Sequence, residues 1–322
     1  MKTARVTSFK APISLQEVSS PNPAEGEVLI EIAACGLNFA DLLMAAGRYQ
    51  DTPPLPFTPG MEVCGRVLAH GPGVSAPAIG SRVAVFGGHG GLAERGVFPA
   101  AHCRAVPDGM SDIDAAAFQV AYGTSHLALT RRARLTAGET LLVTGAAGGV
   151  GLTAVEIGAG LGAHVIGIAR GAGKRAVAEA AGAVLTYDPD DPDLIGKLKA
   201  DGGIDVAYDA VGGDLFNTGL KAANREARIL TIGFASGDIP QIPANHLLVK
   251  NIDIIGVYWG GYLKFAPDAL NDSLAELMSW HAQGRLKPHV SHVLPLEQVA
   301  EALDLIRSRR STGKVVVVPR TN

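Results

Sequence analysis

Glycines at positions 145, 148, 149 and 151 mark the stretch of this chain whose residue types and spacing most directly imply chemistry. They sit in LLVTGAAGGVGLTAVEIGAG, after an apolar run at 141–143 and before a segment carrying Val150, Ala154, Val155 and Ile157 on one side. A second apolar run, 165–169, follows. The pattern predicts a strand–turn–helix–strand unit of roughly thirty residues, the arrangement that binds dinucleotides. A turn stripped of side chains lets the backbone approach a pyrophosphate closely. The free amides and positive dipole end of a helix starting near Gly149 then face the anion. Glycines also serve ordinary tight turns, but a place between an apolar strand and an apolar-faced helix favours the nucleotide reading.

The same stretch bears on which nicotinamide cofactor would bind. A carboxylate about 20 residues after the first glycine would hold the ribose 2′-hydroxyl of NAD. The second strand instead ends in Ile168, Ala169 and Arg170, followed by Lys174 and Arg175. Arg and Lys form charge-assisted bonds to a 2′-phosphate. Cations at a helix start otherwise oppose its dipole. This set favours NADPH over NADH.

TGAAGGVG also fits the TGxxxGxG turn of short-chain dehydrogenases. Those enzymes carry it near the N-terminus with a downstream Tyr-x-x-x-Lys. Here it begins at 144, and none of the six tyrosines has a lysine four residues on. That reading fails.

The elements that must position this turn fall into two patterns. Up to about residue 110, strand-like runs at 28–34, 63–69, 82–86 and 93–98 lie between Gly/Pro turns, with a short helix expected at 38–47. Close-spaced strands of this kind predict a β-rich, barrel-like domain. Beyond 112, two helical segments (113–118 and 121–130) lead into the glycine unit, and helices then alternate with strands to about 232. This predicts an α/β fold with a doubly wound parallel sheet. The apolar run 252–259, IDIIGVYW, reads as a sixth strand at the sheet edge. So apolar an edge invites pairing with another chain, and a homodimer through 252–259 is expected. The tail from 260, with two amphipathic helices and a final strand at 314–318, is expected to return to the first domain. The domains are then 1–118 with 260–322, and 119–259.

Composition limits the functions available. A chain of 322 residues with 47% apolar content supports two packed domains. A net charge of −3 without a basic block argues against nucleic acid as partner. No apolar run approaches a membrane span, and the polar N-terminus does not read as a signal peptide. Three scattered cysteines (35, 64, 103) read as free thiols in a reducing cytoplasm.

A β-rich N-terminal domain, an inserted nucleotide fold and a returning tail together resemble the medium-chain dehydrogenase/reductase superfamily. CGLNFADL (35–42), TPGMEVCG (58–65), AAGGVG (146–151) and STGKVVV (311–317) resemble its zinc-free quinone oxidoreductases, related to ζ-crystallin. The resemblance implies a Rossmann sheet beside a GroES-like substrate domain. In zinc-dependent relatives a Cys and a His bind the catalytic metal, at the positions held here by Asn38 and Met61. An amide and a thioether are poor Zn²⁺ ligands. Alcohol oxidation without a metal lacks the means to ionise the alcohol. Hydride delivery to a quinone or conjugated carbonyl needs less. The implied activity is NADPH-dependent, zinc-free quinone reduction, with enone or 2-enoyl thioester reduction, or a non-catalytic NADPH-binding sensor or structural protein, as alternatives.

Site roles follow from the same resemblance. Asn38 and Tyr49 are expected at the nicotinamide and substrate mouth, with Asp41 holding the loop and Tyr49 the candidate proton donor. Leu43 stands where a tyrosine is common, which implies a quinone site of altered shape. Thr124 would contact the carboxamide side, and Gly148, Gly149 and Val150 would lie under the pyrophosphate. Arg170, Lys174, Tyr187 and Arg309 are assigned to the 2′-phosphate. Phe234, Ala235, Tyr258 and Trp259 are assigned to the nicotinamide half, with core packing as the other reading for Tyr187, Phe234 and Trp259.

Overall fold

The computed structural model describes residues 1–319, and its contacts divide the chain into two units, Met1–Val120 with the chain from Pro288, and Ala121–Lys287. The strands run in chain order as β1 (Lys2–Arg5), β2 (Ser14–Glu17), β3 (Glu27–Leu37), β4 (Glu62–His70), β5 (Arg82–Phe86), β6 (Arg95–Pro99) and β7 (Cys103–Ala105). They continue as β8 (Thr140–Thr144), β9 (His164–Ile168), β10 (Leu185–Tyr187), β11 (Ile204–Asp209), β12 (Ala223–Thr231) and β13 (Asp253–Gly256), and end with β14 (Val290–Pro295) and β15 (Lys314–Val318). The helices are α1 (Phe39–Ala45), α2 (Asp112–Ala116), α3 (Gln119–His126), α4 (Gly149–Gly160), α5 (Ala172–Ala180) and α6 (Leu194–Ala200). Beyond them lie α7 (Gly213–Ala222), α8 (Ala244–Lys250), α9 (Tyr262–Phe265), α10 (Pro267–Ala282) and α11 (Val299–Arg307).

In the first unit, strands form a seven-stranded sheet in the order β14-β15-β3-β4-β5-β7, with β6 also paired to β3. The long strand β3 alternates buried and half-exposed residues along its first half, as a strand with one covered face must. Val28, Ile30 and Ile32 thereby join Val63, Val83, Val85 and Phe98 in one core, closed by Leu303 of α11 and Val315 and Val317 of β15. The last strand pairs antiparallel with the end of β3, Val315 opposite Leu37. That register delivers Lys314 to the β3–α1 junction.

In the second unit, six strands lie in the order β10-β9-β8-β11-β12-β13, and every pairing is parallel. The order reverses at β8, so the crevice beyond the carboxyl ends of β8 and β11 is the switch point where such sheets bind ligands. Leu142, Ile166, Ile168, Ala207 and Ile229 from the strands meet Leu194, Leu198, Phe216 and Leu220 from α6 and α7 in its core.

Two expectations change here. The edge strand is four residues long, Asp253–Gly256, not 252–259: Trp259 turns away and packs against α3, where a Cβ on Gly123 would come within 2.7 Å of the indole. The segment 260–287 groups with the Ala121–Lys287 unit, not with the first unit. His126, at the end of α3, fixes it there. Its Nδ1 lies 2.8 Å from Ser273 Oγ and its ring meets Trp280 edge-on at 5.0 Å. Both partners are on α10.

Candidate functional site

Local sequence shapes the β8–α4 turn. Gly145 has φ of +64°, a conformation natural to glycine. A Cβ on Gly151 would lie 2.1 Å from the Gly145 carbonyl oxygen, so helix and turn can approach this closely only with glycine there. Gly148 is the residue before α4 and supplies no side-chain cap, unlike Ser111, whose Oγ accepts the Asp114 N–H at the start of α2. The first amides of α4 are therefore left to solvent or an anion. These residues fit a dinucleotide pyrophosphate: an uncapped helix start behind a turn without side chains.

The neighbouring turn is fixed by a buried carboxylate. Asp209, at the end of β11, accepts from Thr144 Oγ1 at 2.5 Å and from the Gly212 N–H at 2.9 Å, tying the turns after β8 and β11 together. Burial pushes its pKa up, and those hydrogen bonds oppose the shift. Phe234 packs on the same turn, since a Cβ on Gly212 would approach its ring to 3.1 Å, and the Ala235 N–H donates to Ala210. Behind α4, Ser125 Oγ lies 2.8 Å from Thr153 Oγ1 and 2.9 Å from Tyr208 Oη, which pins α3 and thus Thr124. Tyr258 is exposed, whereas Trp259 is buried. Core packing is thus the structure's account of Trp259.

The cationic end differs from its sequence reading. Asp188 Oδ2 accepts from the Gly171 N–H and from Arg175, each at 2.8 Å. Arg170 grips Asp190 with Nε and Nη2, both at 3.2 Å. The acids missing from the end of β9 arrive from the turn after β10, a strand away in sequence. Tyr187 Oη donates to Asp201 at 2.7 Å, which pushes its pKa up to about 12. Its hydroxyl is thus directed to the end of α6. Lys174 lies in the first turn of α5, while Arg309 belongs to the other unit.

The first unit contains a buried charged cluster. Asp41 Oδ2 accepts the Asn38 N–H at 2.8 Å, and its Oδ1 accepts the Gly60 N–H at 3.0 Å, which locks the start of α1 to the strand entering β4. Burial raises the Asp41 pKa to about 6, against the pull of those two bonds. Lys314 Nζ donates to Asn38 Oδ1 at 2.6 Å and to Glu62 Oε1 at 2.8 Å. Asn38 Nδ2 donates to Glu62 Oε1 at 3.0 Å, and Glu62 Oε2 accepts the Val120 N–H at 2.9 Å. An ammonium only donates and a carboxylate only accepts, so the orientation of the Asn38 amide is fixed by chemistry. Asn38, expected at the substrate mouth, has its amide held inside this cluster. Tyr49 lies half-buried on a turn closed by the Thr52 hydroxyl on its carbonyl.

Lys314 and Glu62 carry this arrangement, and the sequence reading did not single them out. The donor set is unsuited to zinc. Residues 38 and 61 offer an amide oxygen already bonded to an ammonium, and a thioether. Among the described residues no group of three or more His, Cys, Asp or Glu side chains is placed to hold a metal ion. The thiols are subdued: burial, with the Asp41 and Glu62 charges, drives Cys35 well above its usual range, and burial first of all pushes Cys64 up to about 12 and Cys103 up to about 11. None of the described helices is long and apolar enough to cross a membrane.

These features define a two-part oxidoreductase scaffold, and the comparisons agree. Residues 24–111 match the alcohol dehydrogenase GroES-like domain and residues 149–279 the zinc-binding dehydrogenase domain. The chain is 41% identical to quinone oxidoreductase-like protein 2 homolog of Nematostella vectensis, over 93% of this chain and 83% of that one. The quinone oxidoreductase of Thermus thermophilus, solved with and without NADPH, is 32% identical with a TM-score of 0.87, covering 99% of this chain and 100% of its own. A mycobacterial protein solved with NADPH is 29% identical with a TM-score of 0.93, again over 99% and 100%. The chain belongs to the quinone oxidoreductase-like family of the medium-chain dehydrogenase/reductase superfamily.

Proposed function

We propose that this protein is an NADPH-dependent reductase of quinones that works without zinc. The observation that carries the reading is the Lys314 ammonium, bonded to Asn38 and Glu62 beside Met61, where a catalytic metal would need anionic or imidazole ligands. A cation at that place repels a metal ion. The bound cofactor supplies a hydride, two electrons and a proton nucleus, to the acceptor. A quinone then takes one further proton to become a hydroquinone. The amides at Gly149 and Val150 hold the pyrophosphate above Gly148, whose own N–H donates to the Gly145 carbonyl. Thr124 steadies the carboxamide side, and Phe234, Ala235 and Tyr258 border the nicotinamide half. Arg170 and Lys174 face the adenosine end, and Arg309 is a further candidate there. Asn38, immobilised by two charged partners, gives a rigid surface in place of a proton. Tyr49 is the hydroxyl proposed to bond the acceptor oxygen or to pass it a proton.

The test is NADPH consumption against benzoquinones, naphthoquinones, enones and enoyl-CoAs. Turnover greatest with quinones supports the proposal. Turnover confined to enones or enoyl thioesters moves the activity to conjugated carbonyls. Tight NADPH binding without turnover of any acceptor makes the protein a sensor or structural binder. We place it in the reducing cytoplasm, in keeping with three free thiols.

We also propose a homodimer through β13. This strand is the sheet's outer edge, and α8, directly before it, exposes Leu248 by 79% and Val249 by 69%. Leu248→Asp should convert the dimer to a monomer in light scattering. A wild-type chain that is already monomeric at micromolar concentration refutes the pairing.

A further inference from the structure

We propose that Asp188 and Asp190 temper the cofactor selectivity of this chain by competing with the 2′-phosphate for its own binding groups, which narrows its preference for NADPH over NADH. This inference rests on the nicotinamide-cofactor reading above. The groups suited to a phosphate at the end of β9 are the Gly171 N–H before α5, the guanidinium groups of Arg170 and Arg175, and the Lys174 ammonium in the first turn of α5. The first three each already hold a carboxylate. Asp188 Oδ2 takes both the Gly171 N–H and Arg175, and Asp190 takes Arg170 through two nitrogens. The acids are held in place too, because the Asp190 N–H donates to Asp188 Oδ1 at 3.2 Å. Both acids come from one short turn, and that turn directs them at the cations.

Charge decides the consequence. A phosphomonoester brings close to two negative charges at neutral pH. To reach Arg170 and Arg175 it must break carboxylate pairs, then sit beside the displaced acids. A 2′-hydroxyl has no charge and meets neither penalty. It can also donate to a carboxylate, as riboses do in NAD-selective folds. The residues at 170 and 175, read alone, favour NADPH. With the turn after β10 in place the two guanidinium groups face two carboxylates and their joint charge is nearly neutral, with Lys174 adding one cation to the set. Partly exposed pairs of this kind interact weakly, so the expected effect of each acid is about fivefold and not thousands.

Dissociation constants of NADPH and NADH, measured by cofactor fluorescence without any acceptor, test this in the wild type, Asp188→Asn, Asp190→Asn and the double variant. The expected result is a wild-type preference between the cofactors below about tenfold, with NADPH binding about fivefold tighter in each single variant and about twentyfold tighter in the double, NADH changing by less than about twofold. NADPH binding that weakens or stays constant in Asp190→Asn, which leaves the Gly171 contact intact, overturns the inference: the acids then merely orient the arginines. A wild type that binds neither cofactor removes the functional reading itself and this inference with it. Should Asp188→Asn fail to fold, Asp190→Asn alone decides.

Discussion

The two polar centres of this molecule are built on opposite plans. The turn between β8 and α4 works by omission: glycines, an uncapped helix start and amides directed outward. The centre at the β3–α1 junction works by saturation, with Asn38, Asp41, Glu62 and Lys314 all bonded to one another or to buried backbone. A site meant to receive an anion leaves donors unmatched, whereas a buried set of charges survives only when every member has a partner. The first plan binds a visitor. The second holds a wall rigid.

The contrast can be broken most forcefully at Lys314. Lys314→Met leaves the Glu62 carboxylate buried without its cation and should cost about 3–5 kcal/mol in urea unfolding. Adding Glu62→Gln should return part of that loss. Full stability in Lys314→Met alone would show that the saturated centre is tolerant. Next comes the open turn. Gly151→Ala forces a Cβ against the Gly145 carbonyl and should destabilise by about 1–3 kcal/mol. It should also weaken NADPH and NADH together in a fluorescence titration, whereas Lys314→Met should spare cofactor affinity in whatever fraction remains folded.

A smaller effect concerns pH. Asp41 has a folded-state pKa of about 6, above its ordinary value of 3.8. Its contribution to stability is therefore complete below the ordinary value and is lost as pH rises through 6. Between pH 7.5 and 5.5 the folded state should gain about 1 kcal/mol from this group. Asp41→Asn should abolish that gain in paired urea titrations. An unchanged profile would place the proton elsewhere in the centre.

Legibility in the sequence follows the same division. The glycine turn, the parallel sheet and its apolar edge are written in neighbouring residues, and a periodic reading finds them. The saturated centre is not. Lys314 lies 276 positions from Asn38 and 252 from Glu62, so only the register of β15 on β3 unites them. Asp188 and Asp190 escaped for a related reason: the acid was sought at the end of β9, while the sheet supplies it from beside β10. Leu270, Leu274 and Leu277 are the buried leucines of α10, and an apolar stripe of that kind names no partner. His126, Ser273 and Trp280 made that choice, through contacts no spacing rule encodes. Trp259 likewise read as part of a strand until Gly123 gave it a berth.

The place of Lys314 in the last strand has a consequence for biosynthesis. Residues 38, 41 and 62 leave the ribosome at least 252 positions before the amine that balances them. Until then the N-terminal strands hold two carboxylates with no ammonium between them. The Ala121–Lys287 unit has all its own strands by that time and can mature first. Translation of β15 thus neutralises a much earlier part of the nascent chain, and a ribosome halted before codon 314 would carry a folded Ala121–Lys287 unit beside an unfinished first unit.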